Sequence, residues 1–268
     1  MAAPRPQPLL LLLLVALLAA SAPRRADAWG KEGHIMVCKI AERYLSEEAA
    51  AAGEMRTEDY STYLPEAAGG ELSTMCPWAD TMRFRYHWAS PLHYANTPNV
   101  CNFNFSRDCH NSRGEQGMCV VGAINNYTDQ LYTYGDSSKS SYNLTESLMF
   151  LAHFVGDVHQ PLHVGYEEDE GGNTIMVRWY RRKANLHHVW DVSIIDTVMK
   201  DFYNKSLDTM VDALQTNLTN ITLGDDYYFT RYPVVEKRLA QAGVRLALIL
   251  NRIFDKKKEA DAMPLYIQ

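Results

Sequence analysis

The chain has 268 residues, of which 47% are hydrophobic and 22% are charged, so it is too apolar for a disordered protein and long enough for one sizeable core. Its formal net charge of −6 at pH 7 argues against a basic nucleic-acid-binding protein of the usual kind. A nucleic-acid enzyme is still compatible with this charge, because bound metal ions can supply positive charge.

The first predicted element is a signal peptide over residues 1–28. A basic start, an apolar run from Leu9 to Ala20 and the small-residue sequence Ala26-Asp27-Ala28 are typical of such a segment and its cleavage site. The run is too short to span a bilayer, and no later stretch approaches the roughly 20 apolar residues that a transmembrane helix needs. Cleavage would leave 240 residues that begin at Trp29, with a net charge of −8 because three Arg and one Asp are removed.

Helical periodicity dominates the chain after this segment. The amphipathic stretches cover residues 34–45, 147–159, 185–203 and 234–254. A strand-like exception follows Gly171, where Ile175, Val177 and Trp179 alternate with other residues and predict a short β-hairpin. No repeat or linker divides the chain, so we expect an all-α, mainly helical single domain over residues 29–254 and a disordered or trimmed tail over 255–268.

A secretory start predicts an oxidising route, in which cysteines normally pair and sequons can be glycosylated. The number of cysteines is odd, so one stays free, pairs with another chain or has lost its partner; the five are Cys38, Cys76, Cys101, Cys109 and Cys119. Six N-x-S/T sequons mark surface stretches and predict glycosylation, at Asn104, Asn126, Asn143, Asn204, Asn217 and Asn220. We expect a monomer in an extracellular, vacuolar or ER-derived compartment.

The nine histidines all lie between residues 34 and 188, and two of them form His-x-x-x-Asp pairs. His153 with Asp157, and His187 with Asp191, would each share one helical face and could converge on a cation. A His–Asp ion pair is the alternative. The further candidates that the spacing adds are His34, Asp80, His93 and His163. Mixed His/Asp sets suit zinc or another borderline divalent ion.

Several short sequences occur in an order that is specific in combination: WGKEGH, PWAD, PLHY, LAHFVGDVHQPLHVG, DEGGNTI and NLHHVWD. Together they resemble the zinc-dependent type I nucleases of plants and fungi, also called single-strand-specific or bifunctional nucleases. The resemblance runs from Trp29 to about Asn220 and resumes from about Leu223 to Phe254. It implies a mainly helical fold with three zinc ions at the bottom of a cleft.

The resemblance also implies which residues hold each ion. The first zinc would be bound by Asp80, His93, His153 and Asp157. The second would be bound by the α-amine and carbonyl of Trp29, by His34, and by Asp157 as a bridge. The third would be bound by His163, His187 and Asp191. Signal-peptide cleavage would then complete the second site by exposing the amine of Trp29.

The same resemblance implies hydrolysis of phosphodiester bonds in single-stranded DNA and RNA to 5′-phosphate products, with 3′-nucleotides as further substrates. Asp80 would orient the attacking water and Arg83 would stabilise phosphate charge. Tyr94, Asn96 and Asn173 would form a pocket for a splayed base. Alternative interpretations are a zinc phospholipase C-like hydrolase and an inactive, truncated, secreted zinc-binding glycoprotein.

The chain departs from the family pattern between Asn220 and Asp225, where about forty family residues with three cysteines are missing. In relatives one of those cysteines pairs with the counterpart of Cys101. The resemblance therefore implies the disulfides Cys38–Cys76 and Cys109–Cys119 and leaves Cys101 without a partner. Our hypothesis is that this loss impairs folding, and hence activity.

Overall fold

A computed structural model describes residues 29–57, 71–135, 141–203 and 222–255. The predicted signal peptide, residues 256–268 of the tail and the sequons at Asn204, Asn217 and Asn220 lie outside these ranges. The sequons at Asn104, Asn126 and Asn143 lie within them, and each of these three asparagines is exposed.

Helices make up most of the described chain, which confirms the predicted fold class. The α-helices are α1 (Lys31–Glu42), α2 (Glu47–Thr57), α3 (Leu72–Met75), α4 (Trp78–Thr81), α5 (Phe105–Asp108), α6 (Val120–Leu131), α7 (Leu144–Asp157), α8 (Leu186–His188), α9 (Ile194–Tyr203) and α10 (Asp225–Phe254). Residues His87–His93 and Pro161–Val164 form 3₁₀ helices, and a π-helical turn over Val189–Ser193 joins α8 to α9.

A small sheet contains the predicted hairpin. Strands β1 (Met176–Trp179) and β2 (Arg182–Asn185) pair antiparallel, with Met176 opposite Asn185. A third strand, β3 (Thr222–Leu223), pairs parallel to β1, so the strand order is β2-β1-β3. The sequence did not predict β3, because two residues are too few to show an alternating pattern.

Helix α7 lies at the centre of the fold and contacts α1, α4, α6 and α10. The side chain of Asn143 caps its first turn by accepting hydrogen bonds from the backbone amides of Thr145 and Glu146. From Leu144 to Asp157 every residue except Glu146 is buried. A helix that is enclosed on all sides needs apolar residues around its whole circumference, and α7 has them.

The two disulfides implied by the resemblance are present. They link Cys38 to Cys76 and Cys109 to Cys119, while Cys101 is exposed and free. Disulfides are typical of proteins that fold in an oxidising compartment. None of the helices in the described part of the chain combines the length and the apolar character that crossing a bilayer requires.

Candidate metal centre

Five side chains from four elements meet beside the buried end of α7, and we call them the central cluster. Helix α1 supplies one of them, α4 another, the 3₁₀ helix before Tyr94 a third, and α7 two; they are His34, Asp80, His93, His153 and Asp157. All are buried except Asp80, whose side chain is 12% exposed.

Asp157 joins the two sides of the central cluster. Its Oδ2 lies 3.0 Å from His93 Nδ1 and 3.4 Å from His153 Nε2, while its Oδ1 lies 3.2 Å from His34 Nε2. Asp80 Oδ1 is 3.6 Å from His153 Nε2, so the second carboxylate faces the same donors. The two oxygens of Asp157 therefore point at different imidazoles, which is the geometry of a carboxylate that can bridge two cations.

A second cluster of three buried residues lies next to the first: His163, His187 and Asp191. His187 Nε2 is 3.3 Å from Asp191 Oδ2 and 3.1 Å from His163 Nε2. Asp191 lies in the π-helical turn, and such turns recur at functional sites because they change the direction of one side chain. His163 Nδ1 bonds the backbone oxygen of His93 at 2.6 Å, which connects the two clusters.

Backbone carbonyls fix the orientation of three of these imidazoles. Nδ1 of His153 lies 2.8 Å from the oxygen of Cys76, and Nδ1 of His187 lies 2.6 Å from the oxygen of Gly171. His163 makes the equivalent bond to His93. Since a carbonyl oxygen only accepts, Nδ1 of each ring carries a proton, and Nε2 faces the cluster.

Burial keeps four of the imidazoles neutral. Burial, together with the charge of His153, lowers the pKa of His34 to about 4. Burial, together with the nearby His163, lowers the pKa of His187 to about 3. Burial also lowers the pKa of His93 and of His163. At neutral pH these rings hold no extra proton and can donate a lone pair to a metal ion.

His153 differs from the other four rings because the effect of the two nearby carboxylates on its pKa outweighs that of burial. Although burial disfavours its charge, Asp157 and Asp80 raise the pKa of His153 to about 9. Burial alone would raise the pKa of both carboxyl groups, but His153 holds each pKa below its ordinary range. The two carboxylates are therefore ionised, and they stabilise a cation between them.

The donor atoms of the central cluster fit a metal ion better than an internal hydrogen-bond network. His34 Nε2 and Asp157 Oδ1 face each other across 3.2 Å, yet neither makes a hydrogen bond within the described ranges. Buried polar atoms without partners cost free energy unless a ligand compensates them. Both atoms, and the neutral imidazoles around them, can compensate that cost by coordinating a divalent cation.

Trp29 lies against both clusters. Its side chain is fully buried, and a Cβ added to Gly156, the residue before Asp157, would lie 3.8 Å from Trp29 Cδ1. The amide of Gly30 donates a hydrogen bond to the backbone oxygen of Asp191 at 2.8 Å. The residue predicted to begin the mature chain is therefore held beside the predicted ligands.

The residues predicted to contact substrate lie at the edge of this centre. Arg83 Nη2 donates to Asp80 Oδ1 at 2.7 Å. Tyr94 is 43% exposed, and Asn96 Oδ1 is buried without a hydrogen-bond partner among the described residues. Asn173 is engaged within its own turn, because its Nδ2 donates to the backbone oxygen of Glu170 at 2.9 Å.

Sequence reasoning missed Gln160. This fully buried side chain donates from Nε2 to Asp191 Oδ1, and its Oε1 accepts a hydrogen bond from the amide of Leu162 at 2.5 Å. Gln160 thus fixes Asp191 and the 3₁₀ turn that carries His163 at the same time. Its position between two predicted ligands, Asp157 and His163, is the only signal that the sequence offers.

Comparison with known proteins agrees with this geometry. The profile of the S1/P1 Nuclease family matches residues 29–222 and 216–255. Endonuclease 2 of Arabidopsis thaliana is 49% identical over 269 aligned positions, which cover 84% of this chain and 90% of the relative. Endonuclease 4 of the same plant is 48% identical over 279 positions, covering 87% of this chain and 91% of the relative.

A more distant fungal protein matches over a similar length. Nuclease S1 of Aspergillus oryzae is 27% identical over 279 positions, which cover 84% of this chain and 91% of the relative. The family profile spans most of the described chain, including every residue of both clusters. The chain belongs to the S1/P1 nuclease family.

Proposed function

We propose that this protein is a zinc-dependent endonuclease. It hydrolyses phosphodiester bonds of single-stranded DNA and RNA to 5′-phosphate products, and it also acts on 3′-nucleotides. The observation that carries the proposal is the gathering of eight His and Asp side chains in two adjoining clusters, in a chain of the S1/P1 nuclease family. No single pair of these residues would support it.

The donor chemistry favours zinc as the metal. Both clusters offer imidazole and carboxylate ligands without a thiolate, and this mixture suits zinc better than Ca²⁺ or Mg²⁺. Three divalent ions would bring six positive charges against the three carboxylates of Asp80, Asp157 and Asp191. The site would therefore be electropositive within an acidic chain, which a polyanionic substrate requires.

We assign the ions as the family resemblance implies. One is held by Asp80, His93, His153 and Asp157, one by His34, Asp157 and the main chain of Trp29, and one by the second cluster. The division of the Asp157 oxygens between His34 and the other imidazoles supports this assignment. An N-terminal extension that blocks the Trp29 amine should remove one ion per chain, which metal analysis of the purified protein would measure.

Zinc ions bound here would supply Lewis acidity toward phosphate oxygens and would favour an ionised nucleophile. Among the carboxylates of the two clusters, Asp80 is the one that solvent reaches, so it can accept a hydrogen bond from an attacking water. Arg83, whose guanidinium is held against Asp80, lies where it could also contact a phosphate oxygen.

The residues that could form a base pocket support the proposed preference for single strands. The exposed ring of Tyr94 offers a stacking face for a base, and the buried Oδ1 of Asn96 offers an acceptor for a donor on the base edge. A base inside a duplex could not reach either group without leaving its stack. Asn173 would contribute only after releasing the backbone oxygen of Glu170.

An assay on single-stranded DNA tests the proposal. The mature protein should cleave heat-denatured DNA, lose this activity with a chelator and recover it with Zn²⁺. His153→Ala should abolish cleavage, whereas the matched control His110→Ala, at an exposed position outside both clusters, should not. Hydrolysis of phosphatidylcholine instead of DNA would establish the phospholipase alternative, and bound zinc without any turnover would refute the enzyme.

We also propose that about forty family residues are missing near residues 220–225. Since 84% of 268 residues is about 225, about 44 of the 269 positions aligned with Endonuclease 2 lack a counterpart in this chain. The exposed, unpaired Cys101 supports the same idea. This loss favours a second candidate function, an inactive secreted zinc-binding glycoprotein.

Restoring the missing segment tests that second candidate. If the segment is needed for folding, the restored protein should melt at a higher temperature and hold more zinc than the present chain. Equal melting temperatures and zinc contents would contradict the hypothesis of impaired folding. The predicted signal peptide and both disulfides support a secretory route to an extracellular, vacuolar or ER-derived compartment.

A further inference from the structure

The segment that follows Asp80 in the sequence has a composition unlike the rest of the chain. The 27 residues from Thr81 to Arg107 contain no Asp or Glu, although the whole chain has 32 of them. Within this stretch, residues 83–88 read Arg-Phe-Arg-Tyr-His-Trp, so basic and aromatic residues alternate. Alternation of this kind is typical of surfaces that bind single-stranded nucleic acid.

The structure exposes the rings of this segment. Phe84 is 69% exposed and Trp88 is 53% exposed, and Arg85 is exposed between them. An exposed aromatic ring leaves apolar surface in water, which a stacked base would cover. We call Phe84, Arg85 and Trp88 the aromatic track.

The aromatic track is anchored on ordered backbone. The amides of Arg85 and Tyr86 both donate hydrogen bonds to the backbone oxygen of Met82, at 2.8 and 3.0 Å. Tyr86 donates from its hydroxyl to Glu146 at 2.9 Å, and the ring of Trp88 packs 5.9 Å from that of Phe150 on α7. Presenting the rings on a fixed turn lowers the entropy that binding must overcome.

The aromatic track begins where the metal centre ends. Phe84 directly follows Arg83, whose guanidinium contacts Asp80, and Trp88 precedes His93 by five residues. A nucleic-acid strand whose scissile phosphate lies at Asp80 could therefore reach Phe84 directly after Arg83, and no residue of this segment is acidic. Basic side chains and exposed aromatic rings therefore follow Asp80 directly along the chain.

We propose that the aromatic track binds nucleotides of single-stranded DNA or RNA beyond the two that are joined by the scissile phosphate. This inference rests on the proposed function and extends it to a second binding region. Phe84 and Trp88 stack on successive bases without reading their sequence, and Arg85 contacts a phosphate between them. The track should therefore favour longer strands over dinucleotides and mononucleotides.

Comparing substrates of different length tests the aromatic track. For Phe84→Ala we expect kcat/KM on a single-stranded decamer to fall about tenfold, which is within the range for losing one stacked base. Its kcat/KM on a dinucleotide should stay at the wild-type value. Phe84→Tyr should retain wild-type activity on both substrates, and Phe84→Leu should not, because only the first keeps a ring.

Matched variants separate stacking from other effects. Phe229→Ala, at a ring on α10 that is 53% exposed, should leave kcat/KM on both substrates at the wild-type value. Arg85→Gln should weaken decamer binding and reduce the dependence of log affinity on log salt by about one unit. Trp88 also packs against Phe150, so the melting temperature of Trp88→Ala should be measured before its activity is interpreted.

Two kinetic outcomes and one binding outcome would each overturn the inference. An unchanged decamer rate for Phe84→Ala would show that no base stacks there, and an equal loss on the dinucleotide would place the effect in the metal centre. If the wild-type protein cleaves neither substrate, the proposed function fails by itself. Fluorescence anisotropy of labelled dT10 then tests the track alone, and equal affinities of wild type and Phe84→Ala would refute it.

Discussion

Gly156→Ala should damage the central cluster without replacing any of the predicted ligands. A Cβ at this position would lie 2.8 Å from His34 Nδ1 and 3.0 Å from His34 Cε1, whereas ordinary contacts begin near 3.4 Å. The ring of His34 must therefore retreat by about 0.6 Å, while metal–ligand distances tolerate about 0.2 Å. The ring is fully buried and stacks on His153 with centroids 3.8 Å apart, so it has little room to retreat.

We expect Gly156→Ala to hold at least one metal ion fewer per chain and to lose about 1–3 kcal/mol of stability from overpacking. For a domain of this size each kcal/mol lowers the melting temperature by about 2–4 °C. Mass spectrometry of bound metal and thermal melting measure both effects. Gly224→Ala is the control, because no atom lies within 4 Å of its added Cβ. Full metal content and an unchanged melting temperature for Gly156→Ala would refute the reasoning.

Three further predictions concern a disulfide, a buried amide and a protonated histidine at the predicted metal ligands. Replacing Cys38 and Cys76 by Ser should cost about 2–5 kcal/mol of stability. It should also lower the metal content, because the Cys76 carbonyl orients the imidazole of His153. Cys101→Ser should change neither stability nor metal content. Gln160→Ala should weaken one metal site about 10–100-fold in chelator competition, since it removes one of the hydrogen bonds that orient Asp191. In the metal-free protein His153 keeps its proton up to about pH 9, so metal affinity should rise as the pH approaches 9. Metal binding at pH 7 should release protons, and calorimetry in buffers of different ionisation enthalpy detects this release.

Local spacing predicted part of the metal centre. A helix places residues four apart on one face, and the atoms of the pair His153 and Asp157 lie 3.4 Å apart in the structure. Spacing could not show that Asp80 and His93 would join them, because those contacts depend on how α4 and the 3₁₀ helix pack against α7. The sequence offered these distant residues as candidates, but only the family resemblance supplied the division into three ion sites.

Local sequence patterns also predicted only part of the fold. Periodicity located four helical stretches but not α2, α6 or the short helices, and α1 begins at Lys31, three residues before the predicted start, because the polar first turn lacks an apolar pattern. The π-helical turn was not predicted, since one wider turn leaves the apolar pattern around Asp191 almost unchanged. Gln160 was missed for a related reason: a buried amide has no periodic signature, and its role comes from two hydrogen bonds made after folding.

Net charge is a poor guide to substrate for this chain, because its charges are segregated. The chain carries a formal charge of −6, yet its 27-residue stretch from Thr81 to Arg107 has no acidic side chain. The carboxylates of both clusters, in contrast, are concentrated where divalent ions can reverse their sign. Over distances beyond about 10 Å at ordinary salt, the remaining acidic surface is screened from a bound strand. If both clusters hold divalent ions, a polyanion would meet positive charge at the metal centre and at Arg83 and Arg85, even though the net charge of the chain is negative.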